Sequence, residues 1–144
     1  MIIIVDTNIL LSACLSPNSK ISEILFSPLP GIERISCYYA MAELFKHQPK
    51  IVGLAKQPAD QVSMVLYTIL KQIEFLNENI IEKDHWVEAD RLTVGVDAKD
   101  INFVALALQK KGWLWTGDKK LTNHLKVMRF ENVINSSELY EMMF

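Results

Sequence analysis

Several signals that assign function at a glance are missing from this sequence. Its 144 residues hold two cysteines, Cys14 and Cys37, with neither CxxC spacing nor histidine neighbours. That argues against a cysteine-based metal module and a disulfide scaffold, and reads both as reduced core residues of a cytosolic protein. The three histidines, His47, His85 and His124, lie too far apart for a zinc pattern. Basic charge is not in excess: 15 Lys and Arg against 17 Asp and Glu leave a net −2. A nucleic acid would therefore have to be held by local clusters or by metal ions. No apolar run reaches the roughly 18 residues of a membrane span, and Met1 leads into a strand instead of a signal peptide. A cytoplasmic protein without membrane contact is expected. Repeats, low-complexity tracts and linkers are absent, so residues 1–144 are expected to form one domain.

What is present is apolar pattern. Half of the residues are hydrophobic, enough for a core without staples. Ile2–Val5 is a continuous apolar run, as in a parallel strand buried on both faces, and a helix from about Asn8 follows. Ser16–Gly31 holds three of the five prolines and reads as a helix-loop connection. Arg34–Tyr38 is a second candidate strand, and Ala40–His47 a helix that Pro49 should end or kink. Pro58 suits a helix's first turn, and Val62, Val65, Leu66, Ile69, Ile73 and Leu76 form a helical, core-facing stripe beyond it. Ile80–Ile81 reads as a short strand and His85–Leu92 as a helix. A helix starting at Asp97 or Asp100 runs to Lys111, with Gly112 in the usual terminating place. Trp113–Thr116 and Val133–Ile134 are further strands, and Ser136–Met143 is a closing helix capped by Ser136 or Ser137. Strands alternating with helices predict an open, mostly parallel α/β sheet.

Against that frame one residue is out of place. The run Ile2–Val5 drives directly into Asp6, and a buried carboxylate costs several kcal/mol unless it finds a cation or hydrogen-bond donors. In parallel sheets, ligands bind beyond the carboxyl ends of the strands. Asp6 ends the first strand, Asp118 follows the WLW strand, Asp97 and Asp100 open a helix, and Glu43 lies one turn into another. Taken singly, each has a plain reading as a helix cap or an exposed acid. Together, five acids at one edge repel, by roughly 4 kcal/mol per pair at about 4 Å and an effective dielectric near 20. A hard divalent cation relieves that repulsion; magnesium favours carboxylate oxygens, keeps several waters and accepts substrate phosphates. Metal-assisted attack of water on a phosphodiester is the chemistry that suits such a set. His47, one turn beyond Glu43, is a candidate for touching a substrate phosphate, and Lys119 and Lys120 are candidates for steering it. Trp113 and Trp115 are read as core or dimer contacts.

The motifs VDTN (Val5–Asn8), AELFKH (Ala42–His47), DAKDINFVALAL (Asp97–Leu108), WTGDKKL (Trp115–Leu121) and FENVINSSEL (Phe130–Leu139) occur in an order that resembles the PIN domain, the nuclease fold of VapC-type toxins. The resemblance implies a three-layer α/β/α sandwich with a four- to five-stranded, mostly parallel sheet. It also implies Mg²⁺ or Mn²⁺ as cofactor and endonucleolytic cleavage of single-stranded RNA. Asp6, Glu43, Asp100 and Asp118 match the family's acidic quartet, and Asp97 an additional acid, so that either acid of the D-x-x-D motif is open as the closer metal contact. Asn8 and Thr116 match the polar residues that orient the first and last aspartates. A toxin role, a cognate antitoxin and a homodimer follow from the resemblance alone. The rival reading is an inactive PIN-fold scaffold that binds RNA or protein without turnover.

Overall fold

The computed structural model describes residues 1–144. In chain order the elements are β1 (Ile2–Val5), α1 (Thr7–Leu15), α2 (Lys20–Phe26), β2 (Glu33–Cys37), α3 (Tyr38–Lys46), α4 (Gln48–Ala55), α5 (Ala59–Leu70) and β3 (Glu74–Leu76). There follow α6 (Lys83–Thr93), α7 (Ile101–Lys110), β4 (Trp113–Trp115), α8 (Lys119–Val127), β5 (Val133–Ile134) and α9 (Ser136–Met143). Single 3₁₀ turns at Glu78–Ile80 and Ala98–Asp100 precede α6 and α7.

All strand pairs are parallel, in the order β3-β2-β1-β4-β5. Parallel neighbours need crossover connections, and the helices supply them on both faces. Alternate residues of β1 therefore feed two cores: Ile3 and Val5 pack with Leu10, Ile24, Ile69 and Trp115, whereas Ile4 packs with Ile35, Phe103, Leu106 and Leu114. Helix α3 wraps one edge and contributes to both, Leu44 to the first core and Ala40 to the second. The result is a three-layer α/β/α sandwich.

The chain winds outward from β1 to β3 and then returns to the other side of β1 to begin β4. This places a topological switch point between β1 and β4, where a crevice opens beyond the strand ends. Asp6 and the Thr116–Asp118 turn stand on its two sides.

Several local expectations give way to tertiary structure. The second strand begins and ends one residue earlier than expected, so Tyr38 opens α3. Pro49 lies in the first turn of a separate helix, α4, where its missing N–H costs nothing. The Val62–Leu76 stripe is not one helix: α5 ends at Leu70, Ile73 stays buried in the connection, and Leu76 pairs with Cys37 in β3. Ile80–Ile81 is not a strand, because β2 has already paired with Glu74–Leu76 and the chain turns past the sheet edge. The cap of α9 is Asn135, in a reciprocal capping box with Glu138, in place of either serine. Lys111, not Gly112, takes the left-handed conformation after α7. Glycine is required at 112 for another reason: a Cβ there would meet the Ile4 side chain and lie 3.0 Å from the Ile2 carbonyl oxygen. Cys14 and Cys37 are buried and unbridged, and burial pushes their thiols up to about 11 and about 12.

Candidate functional site

Asp6 is 5% exposed and occupies the N-cap position of α1, yet its side chain caps nothing. Instead Thr116 Oγ1, fully buried, donates to Asp6 Oδ2 at 2.7 Å. Thr116 Oγ1 in turn accepts the Asp118 backbone N–H at 3.1 Å. One hydroxyl thus ties the end of β1 to the turn after β4. Asp118 is a true cap, its Oδ1 accepting the Leu121 N–H at 3.1 Å. Asp97 caps the 3₁₀ turn through the Lys99 N–H at 3.0 Å. Asp100 caps nothing, and its Oδ2 is buried with no hydrogen-bond partner. On α3, Glu43 Oε2 lies 3.2 Å from His47 Nε2.

These groups converge. Asp6, Asn8, Glu43, His47, Asp97, Asp100 and Asp118 line one cavity of about 210 Å³, together with Thr7, Leu11, Tyr39, Lys99 and Phe103. Burial raises the Asp6 carboxyl above its ordinary value; the Thr116 hydrogen bond and the Asn8 and Thr7 backbone N–H groups oppose that rise, and the Asp118 charge adds to it. Asp100 is pushed up to about 7, by burial first and then by the charges of Asp6, Asp118 and Asp97. A proton at Asp100 near neutral pH is the least costly way to keep these carboxylates together without a cation.

A family model for the PIN domain matches residues 4–135. The chain belongs to the PIN domain family. No curated protein sequence matches it. Among solved structures, VapBC2 from Rickettsia felis bound to a DNA fragment from its promoter superposes with a TM-score of 0.68 at 17% identity, over 94% of this chain and 97% of that one. VapBC-1 from nontypeable Haemophilus influenzae gives 0.67 at 20% identity, over 95% and 99% of the two chains. PAE2754 from Pyrobaculum aerophilum gives 0.67 at 16%, over 98% and 88%. At these identities the likeness establishes a shared fold.

Within this PIN domain, no three His, Cys, Asp or Glu side chains close into a metal-holding group. The donor set still suits a hard cation. It is all carboxylate, it contains a buried oxygen without a partner, and Mg²⁺ commonly binds through one or two carboxylates while keeping its waters. Not every expected residue lines the cavity. Thr116 stands behind it, as a buried tie. Asn8 is an exposed lining residue whose backbone N–H, not its side chain, bears on Asp6. Lys119 lines a different cavity, and Lys120 is exposed and lines neither.

Two contributors were missed in the sequence. Tyr39 lies four residues before Glu43, a spacing that puts both on one helix face. Its hydroxyl is pushed up to about 12 by desolvation and then by the charge and hydrogen bonding of Glu43. Glu78 carries no such signal. From the turn after β3 its carboxylate accepts the Tyr38 and Tyr39 N–H groups, at 2.8 and 3.2 Å, and so fixes the N-terminus of the helix bearing Glu43.

Proposed function

We propose that this PIN domain, acting as one unit over residues 1–144, is a Mg²⁺- or Mn²⁺-dependent endoribonuclease that hydrolyses phosphodiesters of single-stranded RNA. The observation that carries the reading is the convergence of Asp6, Glu43, Asp97, Asp100 and Asp118, from separate elements, on one cavity at the carboxyl edge of the sheet. Asp6, Asp100 and Asp118 are the carboxylates assigned to hold the cation, with Glu43 and Asp97 completing the acidic wall. Asp100 is favoured over Asp97 as the closer ligand, because one of its oxygens is buried without a partner whereas Asp97 already caps a turn. A divalent ion bound there lowers the pKa of water and neutralises charge developing on the phosphoryl oxygens.

The chain's own residues do the positioning. Thr116 fixes the orientation of Asp6 by donating to one oxygen, which leaves the other for the cavity. Asp118 is held by its cap to α8 and by the same hydroxyl through its backbone. His47, beside Glu43 in the cavity lining, is assigned to contact a phosphate of the bound strand.

The deciding experiment is cleavage of a labelled single-stranded RNA pool with Mg²⁺, with Mn²⁺ and with EDTA, for the wild type and Asp6→Asn. Cleavage is expected only with metal and only for the wild type. Well-folded protein, freed of any co-purifying inhibitor, that leaves the RNA intact would give the scaffold reading instead. Thr116→Val keeps the side chain's shape and removes the donor to Asp6. It should weaken Mn²⁺ binding by about 10- to 100-fold, the usual cost of losing a group that orients a ligand. Calorimetric titration checks this, and Thr116→Ser should recover most of the affinity.

The biological reading is a cytoplasmic toxin, working as a homodimer and restrained by a cognate antitoxin. Its support is the fold shared with structures named VapBC. No helix is long and apolar enough to cross a membrane.

A further inference from the structure

The acidic cavity accounts for cutting a phosphodiester and leaves open how a chain of net charge −2 draws a polyanion to its most acidic point. Immediately beyond the Thr116–Asp118 turn lies a second cavity, of about 430 Å³, with opposite chemistry. Lys119, Thr122, Asn123 and Lys126 of α8 form one wall, and Ser136 and Ser137 at the start of α9 stand across from them; neither a hydrophobic residue nor a carboxylate lines it.

The lysines are spaced for this. Positions 119, 122, 123 and 126 share one helix face, and neither lysine is within ion-pair distance of a carboxylate. Opposite them the first turn of α9 offers donors. Its capping box engages Asn135 and the Glu138 N–H. Ser136 Oγ accepts from Trp115 Nε1 at 2.9 Å, which turns its own hydroxyl proton away from the tryptophan. The two cavities share a thin partition: Asp118 lines the acidic one, while Thr116, Gly117 and Lys119 line the basic one. At its crest Gly117 is exposed, with nothing within 4 Å of where a Cβ would stand.

We propose that this second cavity is a phosphodiester subsite for the RNA strand, holding backbone phosphates adjacent to the one presented to the acids. The proposal rests on the nuclease reading of the neighbouring cavity and goes beyond it by assigning Lys126, Thr122, Asn123, Ser136 and Ser137 to substrate. Lys119 and Lys126 neutralise phosphate, the hydroxyls and amide donate to its oxygens, and the strand crosses the partition at Gly117. Contacts of this kind set position and affinity without reading bases.

The test is binding of a fluorescent 12-nucleotide single-stranded RNA to full-length protein carrying Asp6→Asn, across a range of salt concentrations. Adding Lys126→Glu or Lys119→Glu should weaken binding at least about 10-fold. Each should also flatten the dependence of log K on log salt by about 0.7, one phosphate's worth for a single strand. Lys126→Arg should bind as the parent does. The control is Lys83→Glu, an identical charge change at the start of α6, whose N-cap residue Glu82 donates its N–H to Gln109 near the end of α7 away from Asp100. Equal losses in the Lys83 and Lys126 variants would reduce the effect to net charge and overturn the proposal. So would unchanged RNA affinity in the Lys126 variant, or competition by poly-glutamate as effective as that by RNA. Because binding is read without turnover, RNA bound through the two lysines by a wild type that never cleaves would fail the nuclease reading alone. Cleaving wild type with an indifferent Lys126 would fail the subsite alone.

Discussion

Asp100→Asn protein is expected to unfold several degrees above the wild type at pH 8 without metal, to match it near pH 4, and to cleave RNA at below about a hundredth of its rate. The loss follows from removing a carboxylate proposed to hold the cation that neutralises the reacting phosphate; losing electrostatic stabilisation of this kind typically costs about 10²–10³. The stability gain follows from the proton. In the unfolded chain Asp100 releases its proton near the ordinary 3.8, whereas in the folded protein it holds on up to about 7. Folded protein thus binds more protons than unfolded protein across that window, so stability falls as pH climbs through it and stays low above about 7. Asparagine cannot ionise and escapes the fall. Asp6 is raised in the same direction and adds to the slope. A bound cation reverses the trend by taking the place of the proton, so the Mn²⁺-induced thermal shift of the wild type should grow from pH 5 to pH 8. Thermal melts at pH 4, 6 and 8, with and without Mn²⁺, check all of this. A metal shift that survives in the Asn variant would remove Asp100 from the site.

Trp115→Ala should have the largest effect on the fold, about 3–5 kcal/mol, the usual cost of truncating a buried large aromatic. Trp115 is fully buried in the core above β4 and pairs in register with Val5 on one side and Ile134 on the other. Truncation opens a cavity beside the central strand and removes the donor that Ser136 Oγ accepts from. For a chain of this length the melting temperature should fall by more than about 10 °C. Urea unfolding should show a lower midpoint with an unchanged slope. Trp113→Ala, at a partly exposed position on the same face, should cost less than half as much. Equal costs would mean that Trp113 is as deeply packed as Trp115.

The sheet and the acids were legible because their signals are local and strong. Ile2–Val5 could only be a strand buried on both sides, and Asp6 at its end demanded a donor, which the structure supplies as Thr116. The boundary near residue 70 was not legible, because Leu66, Ile69, Ile73 and Leu76 fit helical spacing. Pairing with β2 turns the last of them into strand, and that pairing lies far away in sequence. Glu78 likewise reaches Tyr38 across 40 residues. The cavity each side chain lines was not legible in the GDKK run: Asp118, the extended N-cap of α8, lines the acidic cavity, while Lys119, the first helical residue, lines the basic one.

The sheet order also sets a timetable. Asp6 is made well before the hydroxyl that orients it, which lies 110 positions later. Contacts so distant in sequence close late, and a chain is made from its N-terminus. An arrested, growing polypeptide that ends before β4 carries Asp6 and Glu43 with no Thr116 and no Asp118. The pocket is therefore completed only once β4 and the turn after it have been made, and a product of translation that stops short of them lacks the hydroxyl that gives Asp6 its geometry.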